Sequence, residues 1–318
     1  MTPHVIAAIA ALALTVQSAG AAQVSYYSVP EGAHPHDVAP GPDGRVWYTA
    51  QAQGALGVLD PKTGKTSQLK LGDNSAPHGV IIGPDRAAWV TDGGQNAIVR
   101  VDPATRKIKR FLLPADFSDA NLNTATFDAK GILWFTGQNG IYGRVDPATG
   151  KIDAWKAPKG VGPYGIATTP KGDVWYASLT GDHIAKIDTV SGDAAMVPPP
   201  RPGVGPRRIW SDSKGVLWVS FWNTGEVGSY DPNTKLWKAW HLPGKDPAAY
   251  AVYVDEHDKV WLSDFTNNAL VRFDPVTETF KSFPSNRRGA AVRQLLGRRG
   301  EVWGAESGTD RLVVVREN

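Results

Sequence analysis

The chain has 318 residues, a net charge of +3 and no cysteine, which excludes disulfides, thiol chemistry and a lipidated cysteine and leaves the fold to be held by its core. Its charges are scattered through the chain instead of gathered into a basic stripe, which argues against nucleic acid as a partner.

Residues 1–22 differ in kind from the rest. An apolar run from Ile6 to Val16 is followed by the small-residue stretch Gln17-Ser18-Ala19-Gly20-Ala21-Ala22. The run is too short to span a bilayer, so it reads as a signal peptide, although no Lys or Arg precedes it. This predicts a single domain over residues 23–318, a periplasmic or secreted location, a monomer, and no membrane association.

Gln23 to Pro30 alternates like a strand and ends in proline. After it, the unit Pro35-His36-Asp37-Val38-Ala39-Pro40-Gly41-Pro42-Asp43-Gly44-Arg45-Val46-Trp47-Tyr48-Thr49 recurs seven times. The copies are marked by Trp47, Trp89, Trp134, Trp175, Trp218, Trp261 and Trp303, spaced 42, 45, 41, 43, 43 and 42 residues apart. A period in the low forties with strand-like content denotes blades.

Each copy opens with a short apolar run such as Gly79-Val80-Ile81-Ile82. It turns at residues that accept positive φ, such as Asp43-Gly44 or Lys171-Gly172-Asp173, and returns through an aromatic pair such as Trp134-Phe135. A third strand ends at Asp-Pro or a similar turn, as in Ile98-Val99-Arg100-Val101-Asp102-Pro103, and a fourth follows. Four strands in seven units predict an all-β, seven-bladed β-propeller. The seventh unit stops after its third strand, Arg311 to Val315. The strand that begins at Gln23 is therefore expected to complete it and close the ring, removing exposed sheet edges.

A blade begins beside the central axis, so the residues that open the first strands form a ring at one mouth of the channel. Counting back eleven from each Trp gives His36, His78, Asn123, Tyr164, Arg207, Tyr250 and Val292, the last with Arg293 beside it. Counting forward three gives Ala50, Asp92, Gly137, Ser178, Phe221, Asp264 and Glu306 as cross-strand partners. Two imidazoles, a guanidinium, two phenols and three carboxylates thus converge on one mouth. His78 faces Asp92 in this register, an arrangement suited to general base work near neutral pH with a carboxylate that holds the tautomer or a divalent cation. Asp255-Glu256-His257-Asp258 looks like a metal loop but falls in a hairpin turn at the far end of its blade, where a solvated turn is expected.

The repeats resemble the streptogramin B lyases, the virginiamycin B lyase family, in Pro77-His78-Gly79-Val80, Pro163-Tyr164-Gly165-Ile166 and Leu133-Trp134-Phe135-Thr136-Gly137 followed by Ile141-Tyr142-Gly143-Arg144-Val145. The resemblance covers all seven units. It implies a propeller that opens a cyclic depsipeptide ester by elimination, assisted by Mg²⁺, with one His as general base and a second His and a Glu nearby. In that family the two histidines open consecutive blades within Pro-His pairs, and the Glu follows the Trp of the second. Carried over, His78 is the base and His36 serves the leaving group or orients. The residue four after Trp89 is Gly93, so the acid at hand is Asp92. The pair lies in the first two blades here and in the last two in the family, a shift that a ring permits. On this reading Asp92, Glu306 and Asp264 are the candidate metal ligands, and Tyr164, Arg207, Tyr250, Asn123 and Trp222 the candidate substrate-binding residues. The rival expectation is a module that captures a small ligand, peptide or partner at this mouth without chemistry. A six-bladed lactonase is disfavoured by the seven Trp repeats.

Overall fold

The computed structural model describes residues 22–317; the expected signal peptide lies outside the described residues apart from Ala22. Seven separate four-stranded antiparallel sheets make up the chain, six of them with neighbours taken in sequence order and one that pairs the first strand with the last. Blade one is made of Pro35–Pro40, Val46–Ala50, Ala55–Asp60 and Lys65–Lys70. Its first three strands are buried, while the fourth alternates between half-buried and exposed, as an outer strand must. The chain is a seven-bladed β-propeller.

The ring closes as its sequence implies. Gln23–Ser28 pairs antiparallel with Arg311–Arg316, from Gln23 opposite Arg316 to Ser28 opposite Arg311. Blade seven therefore takes three strands from the end of the chain and one from its beginning. Tyr27 stacks on Trp303, with ring centroids 5.6 Å apart, so the closing strand also adds to the core.

The turn acids and the repeat tryptophans form one device. Asp212 accepts the amides of Lys214 and Val216 through one carboxylate oxygen and the indole N–H of Trp218 through the other. Asp128 with Trp134 and Asp255 with Trp261 repeat this pattern. In these blades the short acid at the hairpin lets the indole be buried with its donor satisfied, whereas in blade seven Glu301 accepts the Trp303 N–H and in blade four Nε1 of Trp175 is buried without a partner. Asp255 is accordingly part of this brace.

Candidate active site at the channel mouth

In every blade the pairing of the first two strands slips by a β-bulge near its start. The slip lies between Pro35 and Val38, Pro77 and Gly79, Leu122 and Ala125, Pro163 and Ile166, Pro206 and Ile209, Ala249 and Val252, and Val292 and Leu295. A bulge puts residues out of simple alternation and re-aims their side chains. The bulged residues here are His36 and Asp37, His78, Asn123 and Thr124, Tyr164 and Gly165, Arg207 and Arg208, Tyr250 and Ala251, and Arg293 and Gln294. The member from blade seven is therefore Arg293; Val292 is buried in the apolar core.

A belt of hydroxyls holds these bulges. The Thr49 hydroxyl accepts the amide of Asp37 at 2.9 Å and donates to the carbonyl of His78 in the next blade at 2.8 Å. Thr91, Thr136 and Ser220 join successive blades in the same way, two residues after each Trp. Blade four has Ala177 there, and Gly165 fills in: a Cβ on it would lie 2.7 Å from the Cα of Arg208, so only glycine permits the contact.

The belt brings His36, Asp37 and His78 together. His36 and His78 lie with ring centroids 3.7 Å apart, and Nδ1 of His36 is 2.7 Å from Oδ1 of Asp37. Asp37 also accepts from the buried Arg208 guanidinium at 3.3 Å, and Arg208 donates to Thr124 at 2.6 Å. Because Asp37 accepts from Arg208, it accepts from His36 too, which places the proton on Nδ1 and the lone pair on Nε2. Nδ1 of His78 is buried without a hydrogen-bond partner.

The electrostatics favour neutral imidazoles. Burial first, then Arg208, Arg293 and Arg207, push His36 well below its ordinary 6.5. His78 is lowered by burial, then by His36, with Asp37 pulling the other way and Arg208 and Arg293 adding to the fall. Burial raises Asp37 above 3.8 against the pull of Arg208.

Opposite the histidines stands an aromatic cage. The Arg207 guanidinium lies 3.7 Å from the Tyr250 ring centroid, 4.4 Å from that of Tyr164 and 4.7 Å from that of Trp222. It donates to the Tyr164 hydroxyl at 2.9 Å, and that hydroxyl is 2.6 Å from the Tyr250 hydroxyl. Burial and its phenol neighbour push Tyr164 up to about 12, whereas Arg207 and Arg208 outweigh burial at Tyr250 and lower it. The five expected substrate-binding residues do not all have the same setting. Tyr164, Arg207, Tyr250 and Trp222 form the cage, while Asn123 sits beside Thr124, with its Nδ2 unpartnered.

The three acids expected to hold a cation are placed differently. Asp92 pairs across the strands with Pro77, and its carboxylate accepts from the Ser75 hydroxyl and the amides of Ala76 and Gln95. Asp264 accepts the amides of Ala248, Thr266 and Asn267 in the equivalent loop. Glu306 accepts from Ser285 and Thr309 and is ion-paired with buried Arg311 at 2.6 Å. Each braces the loop entering its blade, and the carboxylate the fold sets beside the imidazoles is Asp37. The residues overlooked by counting one position per blade are Asp37, Thr124 and Arg208. Their signal was the second polar residue in His36-Asp37, Asn123-Thr124 and Arg207-Arg208, at a position that simple alternation points away from the first.

His36, Asp37 and His78 offer ligand atoms within 4.8 Å of one another. The set does not fit Mg²⁺, which takes oxygen ligands in octahedral array. It holds one carboxylate, already bonded to His36 and Arg208, and three guanidiniums add positive charge to the same space.

Among the described residues no helix is long and apolar enough to cross a membrane. No curated protein matches this chain. Solved structures do. Virginiamycin B lyase from Staphylococcus aureus superposes with a TM-score of 0.85 at 20% identity, covering 93% of this chain and 99% of that one. A catalytically inactive virginiamycin B lyase from the same organism with quinupristin gives the same TM-score, identity and coverage. An extracellular domain assigned to a one component system of B. thetaiotaomicron follows, with a TM-score of 0.70 at 16% identity over 91% of this chain and 40% of that one. At these identities the likeness shows the fold. Residues 65–318 match the sequence model of the Virginiamycin B lyase family, and the chain belongs to that family.

Proposed function

We propose that this mouth opens an ester by elimination, in a cyclic depsipeptide or a related substrate, with His78 as the general base. The observation that carries the reading is the pair of buried, neutral imidazoles on adjacent blades, one held by Asp37 and the other with an unpartnered nitrogen. His78 takes the proton from the carbon next to a carbonyl. The electron pair forms the carbon–carbon double bond, the bond from the β-carbon to the ester oxygen breaks, and the leaving group departs as a carboxylate. His36, oriented by Asp37, faces that leaving group, and the guanidiniums of Arg207 and Arg208 offset the negative charge on the carbonyl oxygen. The role first given to Asp92 falls to Asp37, and no step requires a metal ion.

The test is incubation with quinupristin and with a linear peptide ester bearing a free carboxylate, followed by mass spectrometry. Elimination conserves total mass and leaves a double bond, with EDTA making no difference and His78→Gln abolishing turnover without lowering the melting temperature. Products heavier by one water would identify hydrolysis and overturn the elimination. No product from either ester would favour a second reading, ligand capture without chemistry, which the cage of Tyr164, Tyr250 and Trp222 around Arg207 supports.

We also propose that the domain works as a monomer outside the cytoplasm once residues 1–22 are removed. N-terminal sequencing of protein recovered outside the cytoplasm should begin at residue 23, and an intact chain confined to the cytoplasm would count against export.

A further inference from the structure

The channel mouth carries more positive charge than it neutralises. Arg207, Arg208 and Arg293 act together on the buried His36, and the carboxylate among these residues is Asp37. Three guanidiniums against one carboxylate leave an excess of two positive charges when both imidazoles are neutral. The nearby acids do not relieve it: Asp92, Asp264 and Glu306 are turned to their loops and bonded there. Arg208 is paired with Asp37 and Arg207 lies among aromatic faces, but among the described residues Arg293 forms no ion pair.

Orphaned donors gather at the same place. Four buried side-chain donors here lack a partner, Nδ2 of Asn123 and Nε of Arg207, Arg208 and Arg293, beside the unpartnered Nδ1 of His78. His78, Asn123 and Arg208 are each more than nine-tenths buried. Buried donors left unpaired cost stability, so a cluster of them around excess positive charge is a site that lacks its acceptor. A cation fits such a site badly; an oxyanion satisfies both the charge and the donors, and a guanidinium fork suits its geometry.

We propose that the mouth binds an oxyanion and that the ligand of this protein carries one, as a carboxylate or a phosphate, beside the group the histidines face. This deepens the elimination reading by naming a substrate class, acidic esters, but the binding it describes requires no turnover. The experiment is calorimetric titration of the purified chain in a low-salt, phosphate-free buffer with N-acetylglycine and, separately, inorganic phosphate. At least one should bind, and the tighter of the two identifies the source. Arg293→Gln and Arg207→Gln should each weaken it roughly tenfold or more, the scale of one charge-assisted hydrogen bond. Arg293→Gln breaks no ion pair and keeps the test valid if Arg207→Gln fails to fold. Absence of binding by both anions overturns the proposal, as does binding unchanged in the variants but lost in Arg287→Gln/Arg288→Gln, which would place the anion on the exposed basic loop. Anion binding without turnover of any ester leaves this proposal standing and removes the elimination reading; turnover of quinupristin without anion binding does the reverse.

Discussion

The hydroxyl of Thr49 donates to the backbone carbonyl of His78 across the boundary between blades one and two, while it accepts the amide of Asp37. One side chain thus sets the spacing of the two bulges that carry the histidine cluster. Thr49→Val keeps the shape but strands a buried N–H and a buried C=O, at a cost of about 1–3 kcal/mol. Turnover should fall more than it does in Ser263→Ala, which removes the equivalent bond to Ala251 in blade six. Thermal unfolding and initial rates of both variants check this, with Thr49→Ser expected to recover both properties. Equal rates in Thr49→Val and Ser263→Ala would reduce the hydroxyl to a general brace.

The buried histidines should make the fold acid-sensitive. Both imidazoles titrate below 6.5 in the folded chain, burial being the first cause. Near pH 6.5 the unfolded chain binds protons that the folded chain does not. The stability they contribute is therefore full above about pH 6.5 and is lost as pH falls through their lower folded values. Asp37 has the opposite sign. Raised above 3.8 by burial, it adds stability below that value and loses it as pH rises through its folded pKa. The histidine contribution is isolated by comparing wild type with His36→Gln/His78→Gln in urea unfolding at about pH 7.5, 6.5 and 5.5. Wild type should lose more stability over that span; parallel curves would mean that the histidines are not buried neutral.

The propeller was legible because its signal is repeated. Seven tryptophans, the hairpin acids beneath them and the unpaired strand at Gln23 each follow from local chemistry that a sequence displays directly. The ring of mouth residues was legible too, since a residue that opens an inner strand must lie near the axis. What the sequence hid was register. Alternation places Asp92 opposite His78, but the slip between Pro77 and Gly79 pairs Asp92 with Pro77 and gives its carboxylate to the amides of Ala76 and Gln95. The same kind of slip turns Asp37 and Arg208 to the channel, where counting in steps of two sends them outward. A bulge depends on the neighbouring blade as much as on its own residues, as the Thr49 and Thr91 hydroxyls show. Its position therefore does not appear in any single repeat.

Asp37 and Arg208 form a buried pair joining blades one and five, and its two halves should be unequal to the whole. Asp37→Asn leaves the Arg208 charge uncompensated in a site where it is 4% exposed, so a loss of about 3–5 kcal/mol is expected. Asp37→Leu/Arg208→Met removes both charges and should regain most of that stability. Turnover should return in neither variant, because His36 has lost the partner that fixes its tautomer. Chemical denaturation with an activity assay reads both outcomes. A double variant less stable than Asp37→Asn would show that the pair is net stabilising.

Gly93 stands four residues after Trp89, where the resemblance expects a glutamate. A Cβ there would meet nothing nearer than 3.6 Å, the backbone of Leu122, and the residue is not in the left-handed region, so a side chain is tolerated. Leu122 immediately precedes Asn123, so a carboxylate introduced at this position enters beside the mouth and offsets part of its positive charge. Gly93→Glu should therefore supply the oxygen ligand that the His36, Asp37 and His78 set lacks for a hard cation. Mg²⁺ is expected to leave the melting temperature of the wild type unchanged and to raise that of the variant, while N-acetylglycine binds the variant less tightly. Should Mg²⁺ stabilise the wild type as much as Gly93→Glu, the wild-type donors suffice for the ion, and the excess positive charge at the mouth does not keep cations out.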